Sequence, residues 1–386
     1  MSCSDFSTCV MSVLGVPPQA LFGQLLLGLI NGSFYAMLSL GLAVIFGLLN
    51  IINFAHGAQY MMGAFGAYLL LNNGYFSIGY WPALVLSPLI VGLFGILLER
   101  NLLSQLNVRS KTRSVTAIGA FFVILIVLYG SHLASVLGLG STVPDLPSLL
   151  GYNMDATTAY AAAAIGGLLA ATVFANTGLI DSHDADQHTD HLYGLLLTFG
   201  LAIIIQGLFV NQYGSSGLPY TIPTELSGGK NLGFMFLPIY RGWVVVASLF
   251  VCISTWLMIE KTKLGAYLRA ATENPTLLAA FGVNVPRLIT FTYGFGVALA
   301  GLAGVLAAPI YSVNPNMGAD LIIVVFAVVV IGGMGSILGS IVTGFLLGIV
   351  EGLTKVFYPQ AASTVIFVVM AIVLLIKPAG LFGKAA

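Results

Sequence analysis

Charge is what this sequence has least of. Only 7% of its 386 residues are Asp, Glu, Lys or Arg, 58% are hydrophobic, and the mean hydropathy is +1.01. Soluble domains carry about 25% charged residues, so this composition belongs to an integral membrane protein. The 13 basic and 13 acidic residues cancel, which excludes an electrostatic case for nucleic acid. Cysteine is scarce as well. Cys3, Cys9 and Cys252 have neither metal-site nor disulfide spacing. No Lys or Arg precedes Arg100, so the basic n-region of a cleaved signal peptide is missing, and the first apolar segment is expected to be a permanent span. No G-x-x-x-x-G-K-[ST] phosphate loop, H-E-x-x-H, G-x-S-x-G or Cys-x-x-Cys occurs. The chain is therefore expected not to be an enzyme and to hold no cofactor of its own.

Long apolar runs are what the sequence does have. Full-length segments lie near 20–40, 57–72, 81–99, 114–137, 157–180, 192–210, 239–259, 288–308, 336–355 and 361–377. Each is long enough to cross a hydrocarbon core of about 30 Å. They are continuous rather than alternating, so the spans are helices and not barrel strands. Two shorter runs, near 41–50 and 319–331, end at polar or glycine clusters: Asn50 to Gly57 for the first and Gly332-Gly333-Met334-Gly335-Ser336 for the second. The expected fold is an all-α polytopic membrane protein with about ten transmembrane helices plus two short broken helices. It is expected to form a single transmembrane domain over residues 1–386. Basic residues in short loops set orientation. Arg100, Arg109, Lys111 and Arg113 cluster in one loop, Lys261, Lys263, Arg269 and Arg287 in another, and Lys377 and Lys384 at the C-terminus. All three groups are expected in the cytoplasm, and the intervening spans fit that count.

A pattern repeats between about 20–100 and 288–377: a span, a short apolar segment, a polar or glycine break, a small-residue span and a last span. Paired broken helices of this kind point to a transport site. Asn50, Asn53, His56 and Gln59 at the first break, with Gly332, Gly333, Gly335 and Ser336 at the second, are the candidate translocation path. Polar groups at membrane depth tend to face a cavity or the bundle interior. The same side chains also suit a purely structural role, satisfying backbone groups where a helix stops. Proton relay by His56 is disfavoured, because no intramembrane carboxylate stands near it in sequence. Gly28 and Gly32, Gly335 and Gly339, and Gly344, Gly348 and Gly352 recur at every fourth position. That spacing permits close helix contact, within the subunit or between subunits. Residues 181–191 hold His183, His188, His191 and four aspartates. Their spacing matches no defined metal site, and a solvated acidic loop is the simpler reading.

Asn274 precedes Pro275, and Gly282 follows seven residues later. Asn suits an N-cap, Pro the first helical position and Gly the C′ position. The spacing predicts a short helix over 275–281 in the loop 260–287. Its apolar face either packs back on the bundle or docks another protein.

Several stretches resemble one family: the permease subunits of branched-chain amino acid ATP-binding-cassette importers, of the first-permease type. They are "GLLNIINFAHGAQYMMGAFGAY" at 47–68, "LERNL" at 98–102 and "LYGLLLTFGLAIIIQGL" at 192–208. "KTKLGAYLRAATENPTLLAAFGVN" at 261–284 is similar to the family's cytoplasmic coupling segment. "GGMGSILGSIVTGFLLGIVEG" at 332–352 and "KPAGLFGK" at 377–384 complete the set. One departure stands out: about 90 residues, 101–190, intervene where the family runs straight on. They hold an extra helix pair, which returns the chain to the same side and is expected at the lipid-facing periphery. The resemblance implies a heterodimer with a second permease subunit, two cytoplasmic ATP-binding subunits that carry ATP and Mg²⁺, and a periplasmic substrate-binding protein. It places the chain in a bacterial inner membrane as a multi-pass protein. ATPase coupling would fall to Arg269, Glu273, Asn274, Pro275, Leu278, Phe281 and Gly282. Urea, short amides and aromatic acids are alternative substrates within the same family. A self-sufficient secondary transporter or channel is the competitor from another class.

Overall fold

The computed structural model describes residues 15–49, 53–72, 78–103, 191–231 and 236–383. Asn50, most of the inserted segment 101–190 with its two expected spans, the loop at 181–190, Cys3, Cys9 and Lys384 lie outside the described residues.

The described chain is almost wholly helical. Its helices are α1 (Pro18–Leu49), α2 (Ala55–Asn72), α3 (Tyr80–Leu98), α4 (His191–Tyr213), α5 (Ile239–Lys261), α6 (Lys263–Glu273), α7 (Pro275–Ala280), α8 (Val285–Tyr311), α9 (Met317–Gly332), α10 (Ile337–Phe357) and α11 (Val365–Ile376). A small antiparallel hairpin, β1 (Gly229–Asn231) with β2 (Phe236–Pro238), pairs Gly229 with Pro238. Among the described residues six helices are long and apolar enough to cross a membrane: α1, α3, α4, α5, α8 and α10. With α9 and α11 as shorter apolar helices, this is an all-α polytopic membrane fold.

Two segments, 41–50 and 361–377, differ from the expectation of about ten spans with two broken helices, while the short run at 319–331 keeps to it. The short run at 41–50 is no separate half-helix, because α1 continues through it as one helix of 32 residues, about 48 Å long. Bilayer thickness limits a lipid-facing span. It does not limit a helix sheltered by protein, and an 18-residue stretch of α1 is 83% buried. The final segment, 361–377, holds only the 12 residues of α11. A tight turn over Pro359–Ala361 takes up its start. The run at 319–331 is a helix of its own, α9, with 16 residues. Because α1 joins what α8 and α9 keep apart, the two halves do not repeat helix for helix.

Lipid offers helices no hydrophobic drive to associate, so close contact of small residues has to serve. The tightest pair is α1 with α10, running antiparallel. A Cβ on Gly28 would strike the backbone of Gly348 and Gly352, one on Gly348 that of Gly28 and Gly32, and one on Gly344 that of Ala36. The small-residue stripes thus pack inside the subunit. α8 is the second hub, lying against α1, α2 and α3. α4 and α5 are only 22% and 28% buried and form the periphery, leaving Phe199, Ile203, Val246 and Phe250 exposed.

One end of the bundle holds most of the described basic residues, Arg100, Lys261, Lys263, Arg269, Arg287 and Lys377, while Lys230, Arg241 and Lys355 lie at the other. Thr290, early in α8, bonds Glu99 at the end of α3, which closes in a wider π-type turn over Glu99–Leu103. The inner ends of α1 and α10 meet at Gly47 and Gly335. Leu103 and Leu197 pack in one apolar cluster with Tyr293, so the chain leaves for the insertion and returns from it at this same basic end.

Candidate functional site

The first arrangement is a buried polar knot at the start of α2. Asn53, His56 and Gln59 are 1%, 0% and 0% exposed. Asn53 Nδ2 donates to the Tyr293 hydroxyl at 2.9 Å and to Gln59 Oε1 at 3.3 Å. Gln59 Nε2 lies 3.5 Å from the same hydroxyl. His56 Nε2 is 3.0 Å from the Leu38 carbonyl in mid-α1. A carbonyl only accepts, so this nitrogen carries the proton. The ring sits over Gly41, where a methyl group would meet His56 Cε1 at 3.0 Å. The Phe54 N–H, one of the orphan donors at a helix start, is met by the Thr198 hydroxyl at 3.2 Å.

α2 starts at depth. Phe54 stacks on Phe326 with ring centroids 6.4 Å apart. Phe326 is six residues before the end of α9 at Gly332, about 9 Å along the axis. Beside the knot, α2, α4 and α9 flank a cleft of about 250 Å³ lined by Phe54, Gly57, Met61, Phe199, Ile203 and Ile322. Gln206, also in its wall, donates to Asn316 Oδ1 at 2.8 Å. Of the predicted path residues that the structure describes, none lines this cleft. Their neighbours Phe54 and Gly57 do.

The second arrangement is the glycine break between α9 and α10. Gly332 and Gly333 are buried, while Gly335 is exposed. Gly333 has φ +102 and Gly335 φ +81, a region that costs other residues about 1–3 kcal/mol. Ser336 caps α10 by accepting from the Gly339 N–H at 3.1 Å. The C-terminal segment folds back on this break. Leu381 N–H donates to the Ile331 carbonyl at 2.8 Å and Phe382 N–H to that of Gly332 at 3.1 Å. Two of the carbonyls left open at the end of α9 are thereby satisfied.

The third arrangement is an elbow of α6 and α7 at the basic end, built by local sequence signals. Asn274 Oδ1 accepts from Leu277 N–H at 2.9 Å, Pro275 opens α7, and Gly282 follows with φ +82. α7 ends at Ala280, with Phe281 as its C-cap, one residue short of the expected 281. The helix has two faces. Leu278 packs inward with Ala271 and Val285. Leu277 and Phe281 point out, 56% and 78% exposed. Arg269 and Glu260 form an exposed ion pair at 3.4 Å, and Glu273 is exposed. Among the described residues no group of three His, Cys, Asp or Glu is placed to hold a metal ion.

An all-helical bundle with a deep polar break, a glycine break and a solvent-facing elbow has the form of a transport permease. The family profile described as branched-chain amino acid transport system, permease component, matches residues 24–148 and 114–375. The chain belongs to this family. It is a multi-pass membrane permease. The high-affinity branched-chain amino acid transport system permease protein BraD of Pseudomonas aeruginosa is 26% identical over 94% of this chain and 95% of its own. The corresponding protein LivH of Escherichia coli K12 is 23% identical over 94% and 95%. The ribose import permease protein RbsC of the same organism is 26% identical over 64% of this chain and 75% of its own. No solved structure matches.

Sequence reasoning missed three partners of the permease's polar knot: Tyr293, Thr198 and the Leu38 carbonyl. The run Thr290, Thr292, Tyr293 inside an apolar segment was a signal for the first. Nothing local marks a mid-helix carbonyl as an acceptor.

Proposed function

We propose that this permease is the membrane-spanning subunit of an ATP-driven importer for branched-chain or other neutral amino acids. It works by alternating access, in the bacterial inner membrane. It pairs with a second permease subunit. Two cytoplasmic ATP-binding subunits dock on the elbow, and a periplasmic binding protein delivers substrate. Asn50, Asn53, His56 and Gln59, with Gly332, Gly333, Gly335 and Ser336, border the path. Arg269, Glu273, Asn274, Pro275, Leu278, Phe281 and Gly282 form the coupling element.

The observation that carries this reading is the elbow. A six-residue helix with Leu278 anchored inward and Leu277 and Phe281 turned to solvent leaves apolar area that a partner surface would bury, and exposed apolar groups clustered this way mark interaction sites. The chain supplies no phosphate loop of its own. The test is reconstitution in proteoliposomes. The single chain alone should give no amino-acid uptake, and the complex with its partners should give uptake that requires ATP. Uptake by the isolated chain without ATP would favour the secondary-transporter reading.

A further inference from the structure

We infer that Tyr293 is a positioning residue whose hydroxyl carries movement of the elbow to the start of α2. The inference rests on the elbow being the ATPase docking element. The physical chain is continuous. Leu278 of α7 and Ala271 of α6 pack on Val285, the first residue of α8, and Leu288 and Ile289 join that cluster. Ile289 and Tyr293 are four residues apart and so lie on one face of α8, one turn along. At Tyr293 the face reaches the knot, where the fully buried hydroxyl accepts from Asn53 and lies within reach of Gln59. Asn53 and Gln59 bracket the first turn of α2. Nothing else described ties α8 to this turn through polar side chains: His56 bonds α1 and Phe54 bonds α4.

Farther along, α8 meets α2 through backbone contacts of Gly301 with Gly63 and Gly304 with Tyr60, but at the first turn of α2 the tie is the Tyr293 hydroxyl. A bond between buried polar groups has one good register, so the start of α2 has to follow α8 when the elbow moves its first turn. Glu99 and Thr290 tie α8 to α3 at nearly the same level. The elbow therefore moves α8 and the end of α3 as one piece, and Tyr293 passes that movement to α2.

The test uses the complete complex of both permeases and the ATP-binding subunits in proteoliposomes. Tyr293→Phe keeps the ring and removes only the hydroxyl. It should leave co-purification of the ATP-binding subunits and ATP hydrolysis near the wild-type level. The amino-acid concentration for half-maximal uptake should not move. Molecules taken up per ATP should fall about tenfold, within the range typical of coupling between sites. Asn53→Ala should lower uptake per ATP similarly, and the double variant should be no worse than either single one, as for two halves of one interaction. Wild-type uptake per ATP in Tyr293→Phe overturns the inference, as does a double-variant deficit equal to the product of the two single deficits. A deficit appearing only in half-saturation overturns it too, by assigning the hydroxyl to substrate binding. The elbow reading fails separately, if replacing Leu277 and Phe281 by Asp leaves the ATP-binding subunits attached.

Discussion

At the residue scale, the side chains that break the apolar run are held mainly by partners on neighbouring helices. His56 donates to Leu38, Asn53 to Tyr293 and Gln59, and Thr198 meets the freed N–H of Phe54. At membrane depth there is no water to take over a lost partner. His56→Ala leaves the space over Gly41 empty and removes the bond to Leu38. It is expected to destabilise the protein by about 1–3 kcal/mol, seen as a lower melting temperature of the detergent-solubilised chain. Gly333→Ala is expected to be worse than its size suggests. A side chain there is strained at φ +102 and strikes the backbone of Gly383 and Phe382. Thermal unfolding should show a loss of about 1–3 kcal/mol. The same substitution at Gly207, where nothing lies within 4 Å, should be neutral or slightly stabilising.

At the scale of elements, α1 and α10 hold together because glycines let their backbones touch. Gly348→Leu is expected to separate them and abolish the folded bundle while leaving insertion of the individual spans intact. Gly23→Leu, on the same α1 but with no neighbour within 4 Å, should fold normally. Size-exclusion profiles and limited proteolysis in detergent would separate the two outcomes. The C-terminal segment behaves as part of α9. Ending the chain at Lys377 strips the Ile331 and Gly332 carbonyls of their donors. The expected loss of stability is about 1–3 kcal/mol, with faster proteolytic cutting near Met334, already exposed. A truncated chain with the stability and cutting pattern of the full one would refute this role for the segment.

At the scale of the whole molecule, two hubs divide the work. α1 with α10 forms the closely packed centre, while α8 lies against the elbow, α2 and α3. Replacing Leu277 and Phe281 by Asp alters only exposed positions and should not change folding. It is expected to abolish co-purification of ATP-binding subunits and ATP-dependent uptake together. The legibility of these features follows their range. Asn274, Pro275 and Gly282 announced the elbow because capping acts over a few residues. Gly28, Gly32, Gly344, Gly348 and Gly352 announced a contact face, and their spacing was silent on which face they meet. Neither α1's length nor the bond between Asn53 and Tyr293, 240 residues apart, was legible.

The sequence by itself determined the medium, the all-helical class of the spans and the local caps, because charge scarcity, apolar runs and capping residues act within a span or a turn. Tertiary structure alone decided where the runs truly end, since a helix sheltered by protein escapes the bilayer's length limit and the last run yields to Pro359. It alone brought Asn53 and Gln59 to Tyr293 and folded Leu381 and Phe382 onto the end of α9. Such meetings depend on how helices cross, and the crossing is set by glycines packed against glycines hundreds of residues away.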